Sequence, residues 1–263
     1  MLAFYNSVIR EVVESLRRWP LWTALAWEDI HDRYRRTVLG ILWVTLSFAL
    51  FCGVKILIFG TLARASPDFF SAYVVVGFLC WQFISPVVTD GCNVFIVSRG
   101  LIRGASLPLP VFILQSITRV AILTAFNAVA GFLILLFIGW PRSPVALAAV
   151  AAIPIYLATA TAVQLILGTA TASLRDLAPV VSTVMRVMFF LTPIIWIPAE
   201  LGSIGNIAWF NPITHYIEIV RAPIVYGEVP EASWIVVLCC TLAFWVVAIA
   251  IFGCFRRRIV YWL

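Results

Sequence analysis

The chain has 263 residues, 63% hydrophobic and 11% charged, with a net charge of +6 and a mean hydropathy of +1.05. A soluble domain is roughly 45–50% apolar and about 25% charged, and no single core of this length could hide so much apolar surface. These figures exclude a soluble enzyme, a nucleic-acid-binding module and a disordered chain, and they make lipid the solvent for most residues.

The first twenty residues carry Glu11, Glu14 and several arginines and lack a continuous apolar core, so no cleavable leader is read there. Tyr5, Val8, Val12, Leu16 and Trp19 recur at helical steps, and after Pro20 a second stripe follows: Trp22, Ala26, Ile30 and Tyr34. Both stripes predict amphipathic helices over 1–36, lying in the membrane interface or covering the inner face of a bundle.

A membrane-crossing helix needs about 20 predominantly apolar residues. Residues 69–89, 120–141, 143–174 and 232–255 hold no charge, while 38–62 and 177–198 hold one cation each. The expected fold is therefore all-α, a single polytopic membrane domain over 1–263 with six transmembrane helices. Five fall within 37–198, the sixth is 232–255, and 256–263 is a tail. Lys55 is expected near the far end of the first span, where it can snorkel. Residues 91–110 are too polar to span and too apolar for a plain loop, so a separate short amphipathic helix is expected there. Arg119 is read at a membrane boundary, and Arg186, nine residues into the fifth span, near mid-membrane. Between 199 and 231 the Asn211–Pro212 break and the spacing of Ile213, Ile217, Val220 and Ile224 predict two short re-entrant helices.

Six spans sort the cations unequally. Arg10, Arg17, Arg18, Arg33, Arg35, Arg36, Arg99, Arg103, Arg175, Arg256, Arg257 and Arg258 fall on one side, and only Arg64, Arg142 and Arg221 on the other. That bias puts both termini in the cytoplasm and makes the basic balance a topology signal, with no nucleic-acid partner.

The chemistry is sparse. Lys55 is the only lysine, no Gly-x-x-x-x-Gly-Lys-Ser/Thr occurs, and the sequence offers no nucleophile–base pair. The six cysteines have no metal-ligand spacing, so neither a metal nor a resident cofactor is expected. Arg186 must face the interior of the bundle, against a structural partner or the anionic group of a translocated molecule. Trp43, Phe48, Phe51, Phe189, Phe190 and Trp196 could line a path, since aromatic faces suit the apolar faces of sugars.

Three stretches carry a resemblance. Asp29-Ile-His-Asp-Arg33-Tyr34-Arg35-Arg36-Thr37-x-Leu39-Gly40-x-Leu42-Trp43, the turn Leu174-Arg175-Asp176, and the series Leu191-Thr192-Pro193-Ile194-Ile195, Trp209-Phe210-Asn211-Pro212, Ile217-Glu218-x-x-Arg221 together resemble ABC-2 type polysaccharide-export permeases. One departure is Phe48, where many members carry proline. The resemblance implies a homodimeric permease of the bacterial inner membrane, working with two copies of a separate ABC ATPase that uses ATP and Mg. It would export a lipid-linked polysaccharide such as O-antigen or capsule.

The resemblance also implies roles. Residues 91–107, with Val94, Phe95, Arg99, Leu101 and Arg103, become the coupling segment against the ATPase. Arg33, Arg35, Arg36, Arg119 and Arg186 become candidates for headgroup phosphates, and Asn211, Pro212, His215, Tyr216, Glu218 and Arg221 belong to a periplasmic gate. Two other readings stand beside it: an ABC-2 permease for a drug or small lipid, and a membrane enzyme acting on lipid-phosphate substrates.

Overall fold

A computed structural model describes residues 2–35, 37–59, 65–105, 107–141 and 143–263, with side chains from residue 10 onward except at residues 59 and 204. Arg36, Arg64, Arg142, the last residues of the expected first span and the side chains of Tyr5 and Val8 lie outside it. Among the described residues the fold is all-helical: α1 Leu2–Arg17, α2 Trp19–Tyr34, α3 Leu42–Phe59, α4 Pro67–Val97, α5 Arg99–Gly104, α6 Pro110–Phe137, α7 Ala152–Ser173, α8 Leu177–Leu191, α9 Pro212–Arg221 and α10 Glu231–Trp262. Pro144–Ala151 and Pro198–Phe210 are 3₁₀ segments, and Ala222–Tyr226 is a π-turn.

Among the described residues, four segments are long and apolar enough to cross a membrane: Pro67–Gly104, Pro110–Phe137, Pro144–Ser173 and Glu231–Trp262. Leu42–Ile58 and Leu177–Leu191 are apolar but shorter. Leu57, Phe137 and Leu242 are exposed at 76%, 94% and 68%, which only a hydrocarbon solvent tolerates on this scale.

The bundle forms around α4, which packs against α3, α6, α7 and α8, while α10 lies along α7. Two glycines let α4 and α7 close up. A Cβ at Gly168 would stand 2.8 Å from Val94 Cγ1 and 3.2 Å from the Gly91 carbonyl oxygen, and one at Gly91 would stand 2.9 Å from Gln164 Cγ. At this crossing Gln164 Nε2 donates to the Val87 carbonyl at 3.0 Å, so a fully buried amide ties the two helices. Phe48 is fully buried, stacked on Phe78 at 5.6 Å and set against Gly131. α3 runs through Phe48 without interruption, as expected where no proline breaks the hydrogen-bond ladder.

The structure corrects three expected boundaries. The separate helix of residues 91–110 is shorter, because α4 continues through Asp90 to Val97 and only Arg99–Gly104 forms its own helix. Within α4, Asp90 pairs with Arg119 at 3.0 Å. The helix of the fifth expected span stops at Leu191, since Pro193 has no N–H to continue the ladder. With 15 residues, α8 is about 22 Å long. The last helix runs 32 residues, beyond the arginine cluster, because Ile259 is fully buried and holds the final turns against the core.

The two N-terminal helices cover one end of the bundle. Ala26 and Ile30 of the α2 stripe are buried against α6. In α1 it is Val12 and Ser15 that turn inward, while Leu16 and Trp19 are exposed. Arg256 Nη1 donates to Glu11 Oε2 at 2.7 Å and fastens α1 to the end of α10.

Candidate functional site

The expected site residues separate into three places. The first is the hairpin between α8 and α10. Asn211 begins α9 by accepting from the Ile213 N–H at 3.0 Å, and its Nδ2 donates to Thr192 Oγ1 at 2.8 Å, so one side chain caps the helix and fixes the unwound end of α8. Pro212 fills the first helical position, where a missing N–H is harmless. His215 lies between Ser233 Oγ and the Trp209 carbonyl oxygen, 3.0 Å from each. The Tyr216 hydroxyl meets Thr159 Oγ1 at 3.1 Å and Thr241 Oγ1 at 3.0 Å, pinning α9 to α7 and α10.

Arg221 is the centre of this hairpin. It is fully buried, its Nη2 donates to Glu218 Oε1, and its Nη1 donates to the Pro193 carbonyl. The guanidinium lies over the Tyr73 ring, and α4 makes room with Gly77, whose Cβ would stand 3.4 Å from Nη1. The non-helical stretch after α8 is thus held by side chains of α4 and α9, which is the condition for irregular backbone at membrane depth. The sequence reading names Glu218 and Arg221 but misses Tyr73, an aromatic among many in an apolar run.

The second place is the end that carries α1, α2 and α5. Arg119 Nη1 reaches Asp29 Oδ2 at 3.1 Å and its Nη2 reaches Asp90 Oδ2 at 3.0 Å, so α2, α4 and α6 meet on one guanidinium. Gln115 Nε2 also donates to Asp29 Oδ2, at 2.8 Å. A cavity of about 460 Å³ lies here, lined by these groups with Arg33, Asn93, Ser98 and Leu101. Arg119 is therefore shared between two carboxylates. Arg33 is exposed at the cavity edge, and Arg35 is exposed beside Asp32 at 3.5 Å.

Within the expected coupling segment, Val94 and Phe95 are buried against Gly168 of α7 and are packing residues. Arg99, Leu101 and Arg103 are exposed on α5, joined by Val97 at the end of α4, while Ile102 anchors the short helix inward.

The third place is the groove between α4 and α8, about 500 Å³, where Arg186 stands beside Trp81, Ser85, Thr89, Phe189 and Phe190. Arg186 is exposed on the isolated chain, and its Nε makes one long bond, 3.4 Å, to the Ser182 carbonyl. Phe189 packs edge-on against Trp81 at 5.4 Å, and Trp196 Nε1 donates to the Phe190 carbonyl at 3.0 Å. Trp43 and Phe51 are exposed on α3. Phe48, fully buried, cannot line a path.

Lys55 departs furthest from expectation. Its ammonium is set among three aromatic rings. It is 9% exposed, with Nζ 3.7 Å from the Phe78 centroid, 4.4 Å from Phe189 and 5.5 Å from Phe51.

Comparison with known proteins bears on this arrangement. Residues 20–225 match the family model described as ABC-2 type transporter. The chain is 29% identical over 194 residues to the O-antigen export system permease protein RfbA of Myxococcus xanthus, covering 72% of this chain and 73% of that one. It is 25% identical over 198 residues to the RfbA permease of Klebsiella pneumoniae, covering 72% and 74%. The family match opens within α2 and closes in the π-turn after α9, so it takes in the Arg119 junction, the α4–α8 groove and the Arg221 hairpin alike. A multi-pass helical membrane chain matched over that whole extent belongs to the ABC-2 type transporter family, as a transport subunit.

Proposed function

We propose that the chain is the permease of an exporter that moves a cell-surface polysaccharide, carried on a lipid, across the bacterial inner membrane. The observation that carries this reading is the ABC-2 match together with the likeness to two permeases named for O-antigen export. The chain supplies no phosphate-cradling loop, so ATP and Mg are handled by a separate ABC ATPase. Two permeases pair with two ATPase subunits, and both termini face the cytoplasm.

In this reading α3 and α8, although shorter than the other four apolar segments, complete six crossings, with the unwound 192–197 stretch finishing the fifth. The α1–α2 end lies on the cytoplasmic side. Val97, Arg99, Leu101 and Arg103 form the surface that meets the ATPase, and closure of the ATPase pair pushes on this corner. Arg119, tied to Asp29 and Asp90, carries the push into α2, α4 and α6 as one unit. Arg33 and Arg186 attract the phosphates of the lipid end. The glycan follows Trp43, Phe51, Phe189, Phe190 and Trp196, beneath a periplasmic gate built on the Asn211–Arg221 hairpin.

The test is genetic and biochemical together. Deleting the gene in its host should cause polymer to accumulate inside the cell, with restoration by the wild-type gene. An ABC ATPase should copurify with the tagged chain. Normal surface polysaccharide after deletion would end the export reading.

A further inference from the structure

We propose that the cavity between α1 and the end of α10 binds the phosphodiester headgroup of an anionic glycerophospholipid of the bilayer, held by Arg18 and Arg257. The occupant is a resident lipid and not a molecule that is moved, so this stands apart from the export reading.

The cavity, about 600 Å³, is lined by Arg10, Glu11, Glu14 and Arg18 of α1 and by Arg256 and Arg257 of α10. Its acids are already engaged. Glu11 accepts from Arg256 at 2.7 Å, and Glu14 lies 3.6 Å from Arg10. Four arginines against two paired glutamates leave a surplus of two positive charges. These belong to Arg18 and Arg257, neither of which forms a salt bridge among the described residues. Two guanidiniums from opposite ends of the chain thus share one cavity and repel each other until an anion enters. A phosphodiester suits them, because a guanidinium offers paired N–H donors to phosphate oxygens. A choline headgroup would bring a further positive charge, so the surplus selects against zwitterionic lipid.

The helix face next to Arg257 places this anion on a lipid. Arg257 follows Ala250 by seven residues and Val246 by eleven, about two and three helical turns, so all three share one face of α10. Ala250 and Val246 are exposed. Their strip runs about 16 Å from the arginine, close to half of a hydrocarbon layer of about 30 Å. One acyl chain therefore lies along α10 while its phosphate sits at Arg257. On α1, Val13, Leu16 and Trp19 are exposed, which suits a helix lying at headgroup level. Basic pockets between helices at a membrane surface are the places where anionic headgroups bind. The lipid adds a second fastening of α1 to α10 beside the Glu11–Arg256 pair.

The test uses the full chain in discs of phosphatidylcholine. Phosphatidylglycerol with a photoreactive acyl chain is added in increasing amounts, and labelled peptides are mapped by mass spectrometry. Labelling of residues 243–257 should saturate, whereas the matching photoreactive phosphatidylcholine should label them only in proportion to its amount. Arg18→Gln and Arg257→Gln should each raise the half-saturating mole fraction about fivefold, and the pair about twentyfold. Arg258→Gln, next in sequence but outside the cavity lining, should leave it unchanged.

Equal saturation by the phosphatidylcholine probe, or wild-type half-saturation in the double variant, overturns the site. Displacement of the label by millimolar glycerol phosphate also overturns it, because the occupant is then a free phosphate ester. Loss of the label when an ABC ATPase binds does the same, because the cavity is then a protein contact. Should the double variant fail to fold, Arg18→Gln alone is judged by the same criterion. None of these outcomes alters the surface polysaccharide of the gene deletion, on which the export reading depends.

Discussion

Arg221 and Tyr73 meet face to face: the guanidinium carbon lies 3.8 Å from the ring centroid, and both side chains donate to the Pro193 carbonyl. One residue comes from α4 and the other from α9, so the point where α8 stops is clamped from two sides. The Tyr73 hydroxyl lies 3.0 Å from Pro193 O and 3.2 Å from Trp196 O, which extends the clamp along the unwound stretch.

Removing one member of the buried pair should be severe. Arg221→Met leaves Glu218 buried without its cation and is expected to cost about 3–5 kcal/mol, whereas the double variant with Glu218→Met should recover most of that loss. Unfolding in mixed micelles, followed by helical circular dichroism, measures both. A double variant no more stable than the single would refute the coupling.

The Arg119 junction predicts a graded series. Asp29→Asn or Asp90→Asn leaves the other carboxylate in place, so each alone should cost about 1.5–3 kcal/mol, in the range of a charged hydrogen bond. Losing both should approach Arg119→Met, since either change removes both ion pairs of the junction. A protease-protection assay on α2 reads this directly. Additive losses from two independent carboxylates would show that they do not share one partner.

At the α4–α7 crossing, Gly168→Ala should destabilise by about 1–3 kcal/mol through overpacking, because the added Cβ meets a backbone oxygen as well as Val94. Val94→Ala removes the nearer obstacle at 2.8 Å and should return part of the loss. Thermal midpoints of the single and double variants decide it, and a neutral Gly168→Ala would mean that the helices are further apart.

The exposed face of α5 predicts a change in partner binding without a change in fold. Arg99→Glu with Arg103→Glu should abolish copurification of the ATPase while the permease stays monodisperse. Phe95→Glu should instead lose folded protein, since Phe95 is fully buried. Retained ATPase association in the double arginine variant would remove the coupling role from α5.

Much of the architecture is legible in the residues because apolar runs and helical stripes depend on local order alone. The α2 stripe, the four long apolar segments and the Asn211–Pro212 break all appear where spacing puts them. The sequence fails where a distant side chain decides the outcome. The separate helix expected over 91–110 shrinks to Arg99–Gly104 because α4 runs on through Asp90, which pairs with Arg119, 29 residues away. Lys55 reads as an interfacial cation until three rings from α3, α4 and α8 enclose it. Of the phosphate candidates, only packing shows Arg119 shared by two acids and Arg186 without a carboxylate partner among the described residues. The signal that could have marked Lys55 was its rank as the only lysine in an arginine-rich chain.

The brevity of α8 has a consequence for the lipid around it. A helix of about 22 Å falls short of a hydrocarbon layer of about 30 Å. Lipids beside a short hydrophobic wall thin to match it, at a modest cost per ångström. In the proposed six-crossing arrangement the lipid therefore either thins beside α8 or meets the unwound 192–197 stretch that completes the crossing.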